Sequence, residues 1–221
     1  MNCKFENKTF IVMSKSRKYH GYCVAGFDVE NQEWCRLISS NKNSDFAIDP
    51  NDFVDQNGNE IAILSEITVS CAKVEGDPIQ TENYLLDSSA VIINHGTDKS
   101  KEKLGKSLKI FRNPEAFIYC DRYAYLTEEE IGKYNYSLVF VKVYDFSVYC
   151  GFYNKCKCSF YYNGRHYSNI SYTCHGGPKE NVIFPEAFIL VSIPHKPYDG
   201  KYYKFVSSCF VTENGQLRVY S

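Results

Sequence analysis

Short apolar runs separated by turn residues are the feature that most limits how this chain can fold. The runs with strand character are, in chain order, 9–14, 21–29, 33–39, 61–75, 137–149, 156–162, 166–173, 188–193 and 202–211. The linker at 30–32 suits a hairpin, and the Asn163-Gly164 dipeptide favours a two-residue hairpin turn. Long amphipathic helical patterns are absent from the first half. The sequence therefore predicts a mainly β protein.

The middle of the chain has a different character. Lysines are frequent between 98 and 112, and Leu104, Leu108 and Phe111 recur at the spacing of one helical face. A second short helix is predicted to begin at Thr127, because a capping-box pattern follows it, and to stop at Gly132. These features indicate a short helical connection between two sets of strands.

Two sets of about five strands match the size of two small Greek-key barrels. We expect a first OB-like barrel over 1–86, a connecting segment with short helices over 87–136, and a second OB-like barrel over 137–221. A single β-sandwich is the alternative, since the periodicity of the strands alone does not separate the two architectures.

The composition is that of a globular protein whose net charge produces no strong electrostatic field. Hydrophobic residues make up 44% and charged residues 23% of the 221 residues, and the formal net charge is -1. That balance gives no long-range attraction to nucleic acid or to an anionic membrane, so such binding requires a local patch. Aromatic residues are abundant, with 19 Tyr and 15 Phe, and they suit half-buried strands and stacking on rings.

The N-terminal residues lack the apolar core of a signal peptide, and no apolar run approaches the length of a membrane span. We therefore expect a cytoplasmic protein with no membrane partner, in which the ten cysteines are reduced thiols that pack as small apolar residues. The densest group is Cys150, Cys156 and Cys158, followed by Cys174 and His175. Its C-x-C spacing does not suit a zinc knuckle, so no metal or cofactor is predicted.

Several segments carry a family resemblance. They are Ser16-Arg17-Lys18, Gly21 to Gly26, Glu33 to Ser39, Gln80 to Asn83, Phe160 to Tyr167, Ile189 to Ile193 and Tyr203 to Val206. Together they resemble the bacterial dual-OB-containing domain family. The resemblance implies two OB folds, a bacterial or phage source, and a role in nucleic-acid handling or conflict systems. One departure is Thr173-Cys174, where the family tends to have Thr-Asp. Either an aspartate that served a reaction or a metal is lost here, or that aspartate formed a turn that Gly176-Gly177 now provides.

The first candidate ligand site is a basic, aromatic segment that we place in the loop between two early strands, where an OB barrel has its first ligand loop. Its residues are Ser16, Arg17, Lys18, Tyr19, His20, Tyr22 and, on a nearby strand, Arg36. Arginine and lysine bind phosphate, and tyrosine stacks on a base. The alternative is a solvated basic turn whose Arg17 pairs with the acidic 45–55 loop, with Arg36 in a surface ion pair.

The second candidate site is the aromatic hairpin of the second half. It comprises Tyr161, Tyr162, Arg165, His166 and Tyr167. Alternation places Tyr161 on one face with Ser159, and Phe160 and Tyr162 on the other. Outward aromatic side chains suit single-stranded nucleic acid, whereas inward ones are core.

Catalytic motifs are absent from the sequence, which has no Walker A loop, no dinucleotide fingerprint, no H-E-x-x-H and no G-x-S-x-G. Cys174 and His175 point to opposite faces of an extended chain, which does not suit a nucleophile and its base. We therefore predict a non-catalytic binding protein for single-stranded DNA or RNA. Two alternatives stay open: a small-nucleotide sensor or sponge, and a protein-interaction or inhibitor module.

Overall fold

The computed structural model describes residues 4–105, 117–151, 155–177, 181–213 and 216–220. The chain divides into two compact units, one of residues 1–77 and 81–110 and the other of residues 78–80 and 111–221. The division of the sequence into folding domains at 86 and 136 stays a prediction. Among the described residues, no helix is long and apolar enough to cross a membrane.

The first unit is built on a closed barrel of five strands. The described part of the unit has six strands: β1 (Glu6–Lys18), β2 (Gly21–Asp28), β3 (Glu33–Ile38), β4 (Glu66–Lys73), β5 (Asn83–Leu86) and β6 (Ile93–Gly96). They follow the order β1-β2-β3-β5-β4, β1 pairs with β4 to close the ring, and β6 extends the sheet beside β4. The β3–β5 pair is parallel and the remaining pairs are antiparallel. This order is that of an OB fold.

The core of this barrel comes from the inward side chains of the strands. Phe10, Val24, Leu37 and Ile67 are fully or almost fully buried within one apolar cluster. Gly26 on β2 lies against the Phe10 ring, because a Cβ there would come within 2.1 Å of it. The β1 strand is long and bulged between Val12 and Ser14, which lets it pair with β4 at one end and β2 at the other.

The second unit repeats this plan. Its strands are β7 (Tyr125–Leu126), β8 (Leu138–Cys150), β9 (Cys156–Tyr162), β10 (Arg165–Tyr172), β11 (Val182–Ser192), β12 (Tyr202–Tyr203), β13 (Phe205–Glu213) and β14 (Gln216–Val219). The order β10-β9-β8-β11-β13 closes through a parallel β10–β13 pair, β14 follows β13, and β7 pairs with β12. The two-barrel prediction is therefore confirmed, and the single sandwich is wrong.

Local signals in the sequence account for several connections. Asn163 and Gly164 both have positive φ, at 47° and 75°, as the predicted two-residue turn requires. Helix α2 (Glu128–Ile131) has the predicted capping box at Thr127. Helix α1 (Ser100–Gly105) covers the first part of the helix predicted over 98–112, and residues 106–112 lie outside the described residues.

One cysteine prediction is wrong. Cys150 and Cys156 face each other across the β8–β9 hairpin and form a disulfide, so not all ten thiols are reduced. Register explains it, since the last residue of β8 is paired directly with the first residue of β9. Among the described residues, the remaining cysteines are buried except Cys23, which is partly buried. Burial raises the pKa of Cys35 and Cys158, which keeps these thiols protonated and unreactive.

Candidate nucleic-acid interface

The first candidate segment belongs to a strand more than to a loop. Ser16, Arg17 and Lys18 form the end of β1 and pair with Cys23, Tyr22 and Gly21 of β2. This corrects the predicted loop, because only Tyr19 and His20 turn between the strands. Ser16 is 7% exposed and donates to the Cys23 carbonyl at 3.5 Å, whereas Arg17 is exposed.

The acidic loop predicted over 45–55 docks onto this turn. Tyr22 and Ile48 exchange two backbone hydrogen bonds of 2.9 Å. Gly21 permits the approach, since a Cβ at this position would lie 2.3 Å from the Ile48 carbonyl oxygen. Lys18 forms an ion pair with Asp45 at 2.8 Å. The sequence alternative paired Arg17 with this acidic loop. In the structure, Lys18, the next residue, makes such a contact.

Tyr22 takes part in a network that sequence analysis missed. Lys15 is only 5% exposed; its Nζ lies 2.6 Å from Glu60 Oε1, donates to the Ile61 carbonyl at 3.0 Å and stands 5.2 Å from the centre of the Tyr22 ring. The Tyr22 hydroxyl donates to the same Glu60 oxygen at 3.4 Å, and burial and Glu60 raise the pKa of Tyr22. The strand pattern could not reveal this network, because a lysine in a β-strand is normally expected to face solvent.

Arg36 is not brought to an exposed surface. It is 4% exposed and its guanidinium donates to Cys23 Sγ at 3.0 Å. Neither a surface ion pair nor an open ligand contact fits that burial. Its role in ligand binding stays a prediction.

The predicted alternation of the second hairpin is confirmed. Phe160 and Tyr162 are 1% and 3% exposed, and Tyr161 is 42% exposed. Tyr167, at 1% exposure, stacks on Phe160 with ring centres 5.2 Å apart, so it belongs to the core. Tyr162 is core too.

Arg165 and His166 are differently placed. His166 is exposed and its ring lies 4.8 Å from that of Tyr161, its partner across the β9–β10 pair. The guanidinium of Arg165 stands 4.4 Å from the centre of the Phe117 ring and 5.7 Å from that of Tyr123. Of the second set, Tyr161 and His166 share the outer face.

A third aromatic residue extends this pair. Tyr144 on β8 is directly opposite Tyr161, so Tyr144, Tyr161 and His166 stand side by side across three strands. Tyr144 is 50% exposed. Directly paired residues project to the same side of a sheet, which makes the three an outward aromatic row. Sequence analysis missed Tyr144 because only the β8–β9 register reveals it.

Cations and hydroxyls flank the aromatic row. Lys142 stands 5.5 Å from the centre of the Tyr144 ring and pairs with Glu186 at 2.7 Å, and that hydrogen bond raises the pKa of Lys142. Lys157 shares the outer face of β9 with Tyr161 and donates to Ser171 at 2.8 Å. The surface thus combines exposed aromatic rings with partly exposed lysines.

In the described part of the chain, one cluster has the donor types of a metal site. Ligand atoms of Cys120, Asp121 and Glu130 lie within 4.8 Å of one another. Glu130 already accepts from Thr127 in the capping box, and a buried Lys204 donates to the Cys120 carbonyl at 3.4 Å. Burial lowers the pKa of Lys204 to about 8. A lysine that is still mostly protonated at neutral pH, beside a carboxylate that already accepts hydrogen bonds, does not favour a bound cation.

Comparisons with solved structures give faint similarity. A structure described as structural mimicry for functional antagonism has 9% identity and a TM-score of 0.34, covering 100% of this chain and 91% of that one. The Ifi202 HINa domain with duplex DNA has 9% identity and a TM-score of 0.32, covering 100% and 94%. The p202 HIN1 domain with duplex DNA has 10% identity and a TM-score of 0.32, covering 100% and 91%. These scores establish neither a shared fold nor a shared ligand.

Among curated proteins, none matches the chain. The family model of the dual OB-containing domain matches residues 8–209, which is nearly the whole chain and reaches every strand of both closed barrels. That extent agrees with the two repeats of the β1-β2-β3-β5-β4 order. The chain belongs to the dual OB-containing domain family.

Proposed function

We propose that this protein is a non-catalytic binding protein that holds single-stranded nucleic acid on the outer face of β8, β9 and β10. One observation carries the proposal, the exposed row of Tyr144, Tyr161 and His166 on adjacent strands. In the second barrel β9 and β10 occupy the second and third strand positions, the face that OB folds use for oligonucleotides. Successive bases stack on such rings without regard to sequence.

The charges around the aromatic row suit a modest electrostatic contribution to the affinity for nucleic acid. Lys142 and Lys157 lie on the same face, and Lys142 is already paired with Glu186. For single strands, the logarithm of the binding constant falls by about 0.7 for each tenfold rise in salt concentration and each phosphate that the protein neutralises. With roughly two or three such contacts, we expect a shallow salt dependence, consistent with a net charge of -1.

A second contact region belongs to the first barrel in this proposal. Of the residues predicted there, Arg17 and Tyr19 are exposed, while Ser16, Tyr22 and Arg36 are buried or partly buried. Arg17 is therefore the residue we expect to bind phosphate. We expect the protein to act in a bacterial cytoplasm. A small-nucleotide sensor of a conflict system and a protein-interaction module are the alternatives.

A binding titration tests the proposal. We expect a fluorescein-labelled single-stranded oligonucleotide to bind the protein, and Tyr161→Ala to weaken binding about fivefold to a hundredfold, since a stacked base is worth about 1–3 kcal/mol. Tyr144→Ala should act in the same range. Phe5→Ala is the matched control, because Phe5 is an aromatic residue of the first unit with 41% exposure against 42% for Tyr161.

The outcomes separate the candidate functions. Loss of binding in both tyrosine variants with Phe5→Ala unchanged supports the proposal. Equal binding by all four proteins would move the contact away from the aromatic row. Indifference to every oligonucleotide would reject nucleic-acid binding and favour a protein partner, for which exposed tyrosines are also frequent anchors.

A further inference from the structure

A polar cleft of about 480 Å³ lies in the first unit beside the β1–β2 turn. Its walls are the turn itself, the 39–52 loop and the residues after β5, and its lining includes Tyr19, His20, Ser40, Asp52 and Ser88. Clefts of this size hold small ligands in proteins. None of its lining residues belongs to the aromatic row.

The cleft is held open by contacts that do not involve a ligand. The two backbone hydrogen bonds between Tyr22 and Ile48 fix the loop to β2. The Lys18–Asp45 ion pair and the close packing of Gly21 on Ile48 add to this attachment. A ligand therefore meets a wall that is already formed, which reduces the entropic cost of binding.

Tyr19 at the rim is unusual for a turn residue. It has a φ of 52° and is 73% exposed. Glycine or asparagine adopts a positive φ at a hairpin turn with less strain than a tyrosine does. The turn thus holds a bulky ring in solvent where a smaller residue would fold more easily. The turn therefore presents an exposed aromatic ring at the rim of the cleft.

Several groups in the lining still have hydrogen-bonding capacity. Within the described ranges, the side chains of His20, Ser40, Asp52 and Ser88 make no hydrogen bond to the protein. Asp49 uses one oxygen to accept from Asn51 at 2.9 Å. Hydroxyls, an imidazole and carboxylates suit a ligand with several hydroxyl donors.

The charge of the lining selects against phosphate. Asp49 and Asp52 line the cleft, and none of the lining residues is a lysine or an arginine. A phosphate inside would meet carboxylates without a cation to bind it. A carboxylate instead accepts from the vicinal hydroxyls of a ribose, as it does in dinucleotide-binding folds.

From these observations we infer that the cleft binds an unphosphorylated ribonucleoside, with the base on Tyr19 and the ribose hydroxyls on Asp52 and its polar neighbours. This site shares no residue with the aromatic row of Tyr144, Tyr161 and His166, and we expect free nucleosides to bind it whether or not that row binds an oligonucleotide. The presence of ribose hydroxyls is what distinguishes RNA from DNA at a contact of this kind.

The test uses adenosine, deoxyadenosine and glucose as probes in ligand-observed NMR titrations of the full chain. We expect adenosine to bind about tenfold more tightly than deoxyadenosine, and glucose not to bind. Tyr19→Phe should bind adenosine within about twofold of the wild type, because the ring is kept. Tyr19→Gly should weaken binding about tenfold with an unchanged or raised melting temperature, because glycine relieves the positive φ.

Asp52→Asn should remove most of the preference for adenosine over deoxyadenosine, since the carboxylate accepts from the hydroxyl that deoxyadenosine lacks. Tyr198→Ala is the matched control for the Tyr19 variants, because Tyr198 is a tyrosine of similar exposure, at 78% against 73%, outside the cleft. Equal affinity for the two nucleosides, binding of glucose, or wild-type binding by Tyr19→Gly would each overturn the inference. Failure of oligonucleotide binding leaves all of these results unaffected.

Discussion

At the scale of single residues, exposure decides which of the aromatic and basic side chains can meet a ligand. Alternation along β9 correctly placed Tyr161 and Tyr162 on opposite faces, but it left open which face is outward. The structure exposes Tyr161 and buries Tyr162, which the sequence had offered as a ligand residue. It could not reveal Tyr144, which joins Tyr161 only through strand pairing. Arg36 also reads as an accessible cation in the sequence, and its burial depends on neighbours that are distant along the chain.

Arg17 is the residue of the first barrel whose substitution tests the phosphate contact. It is exposed at the end of β1, and a charge-assisted bond from a guanidinium contributes roughly 1.5–3 kcal/mol. We expect Arg17→Ala to weaken oligonucleotide binding about tenfold to a hundredfold with an unchanged melting temperature. Lys99→Ala, which removes another exposed cation of the same unit, should have little effect.

A binding titration and a thermal melt on both variants measure the two quantities. Should Arg17→Ala bind normally and melt early, the arginine braces the turn and the predicted ligand contact is wrong.

At the scale of elements, the turn chemistry was the most informative part of the sequence. Asn163-Gly164 and the capping box at Thr127 each specify one local conformation, and both are present. Strand ends were harder to predict, because β1 extends from Glu6 to Lys18 through polar residues at both ends. β11 begins before Pro185, a residue that normally argues against a strand. Pairing with long neighbours overrides such local preferences.

The Cys150–Cys156 disulfide belongs to the same scale. It joins the last residue of β8 to the first residue of β9, at the turn end of the hairpin. Closing a loop of this length restricts the unfolded chain and stabilises the native state by about 2 kcal/mol. We therefore expect the double variant Cys150→Ser, Cys156→Ser to lower the free energy of unfolding of the second unit by about this amount in urea.

Reductant provides the control for the disulfide. It should destabilise the wild type to the level of the double variant and leave the double variant itself unchanged. A wild type and double variant of equal stability, each insensitive to reductant, would mean that the hairpin does not depend on the bond.

At the scale of the whole molecule, the two-barrel architecture was predictable and its closure was not. The count and spacing of strands, with the family resemblance, predicted two OB-like barrels. Closure depends on the parallel pairs β3–β5 and β10–β13, which join strands distant in sequence and leave no local signal. Near-neutral charge is also a property of the whole chain, and it makes binding depend on local surfaces rather than on a general field.

Nucleic acid is proposed to lie on the outer face of β8, β9 and β10. Photocrosslinking of an iodouridine-substituted single strand, followed by mass spectrometry of the peptides, tests it most directly. We predict crosslinks at Tyr144, Tyr161 and His166, competed by unlabelled strand and only weakly sensitive to salt. Crosslinks confined to other surfaces, with none on these three residues when the protein is saturated, would contradict the claim.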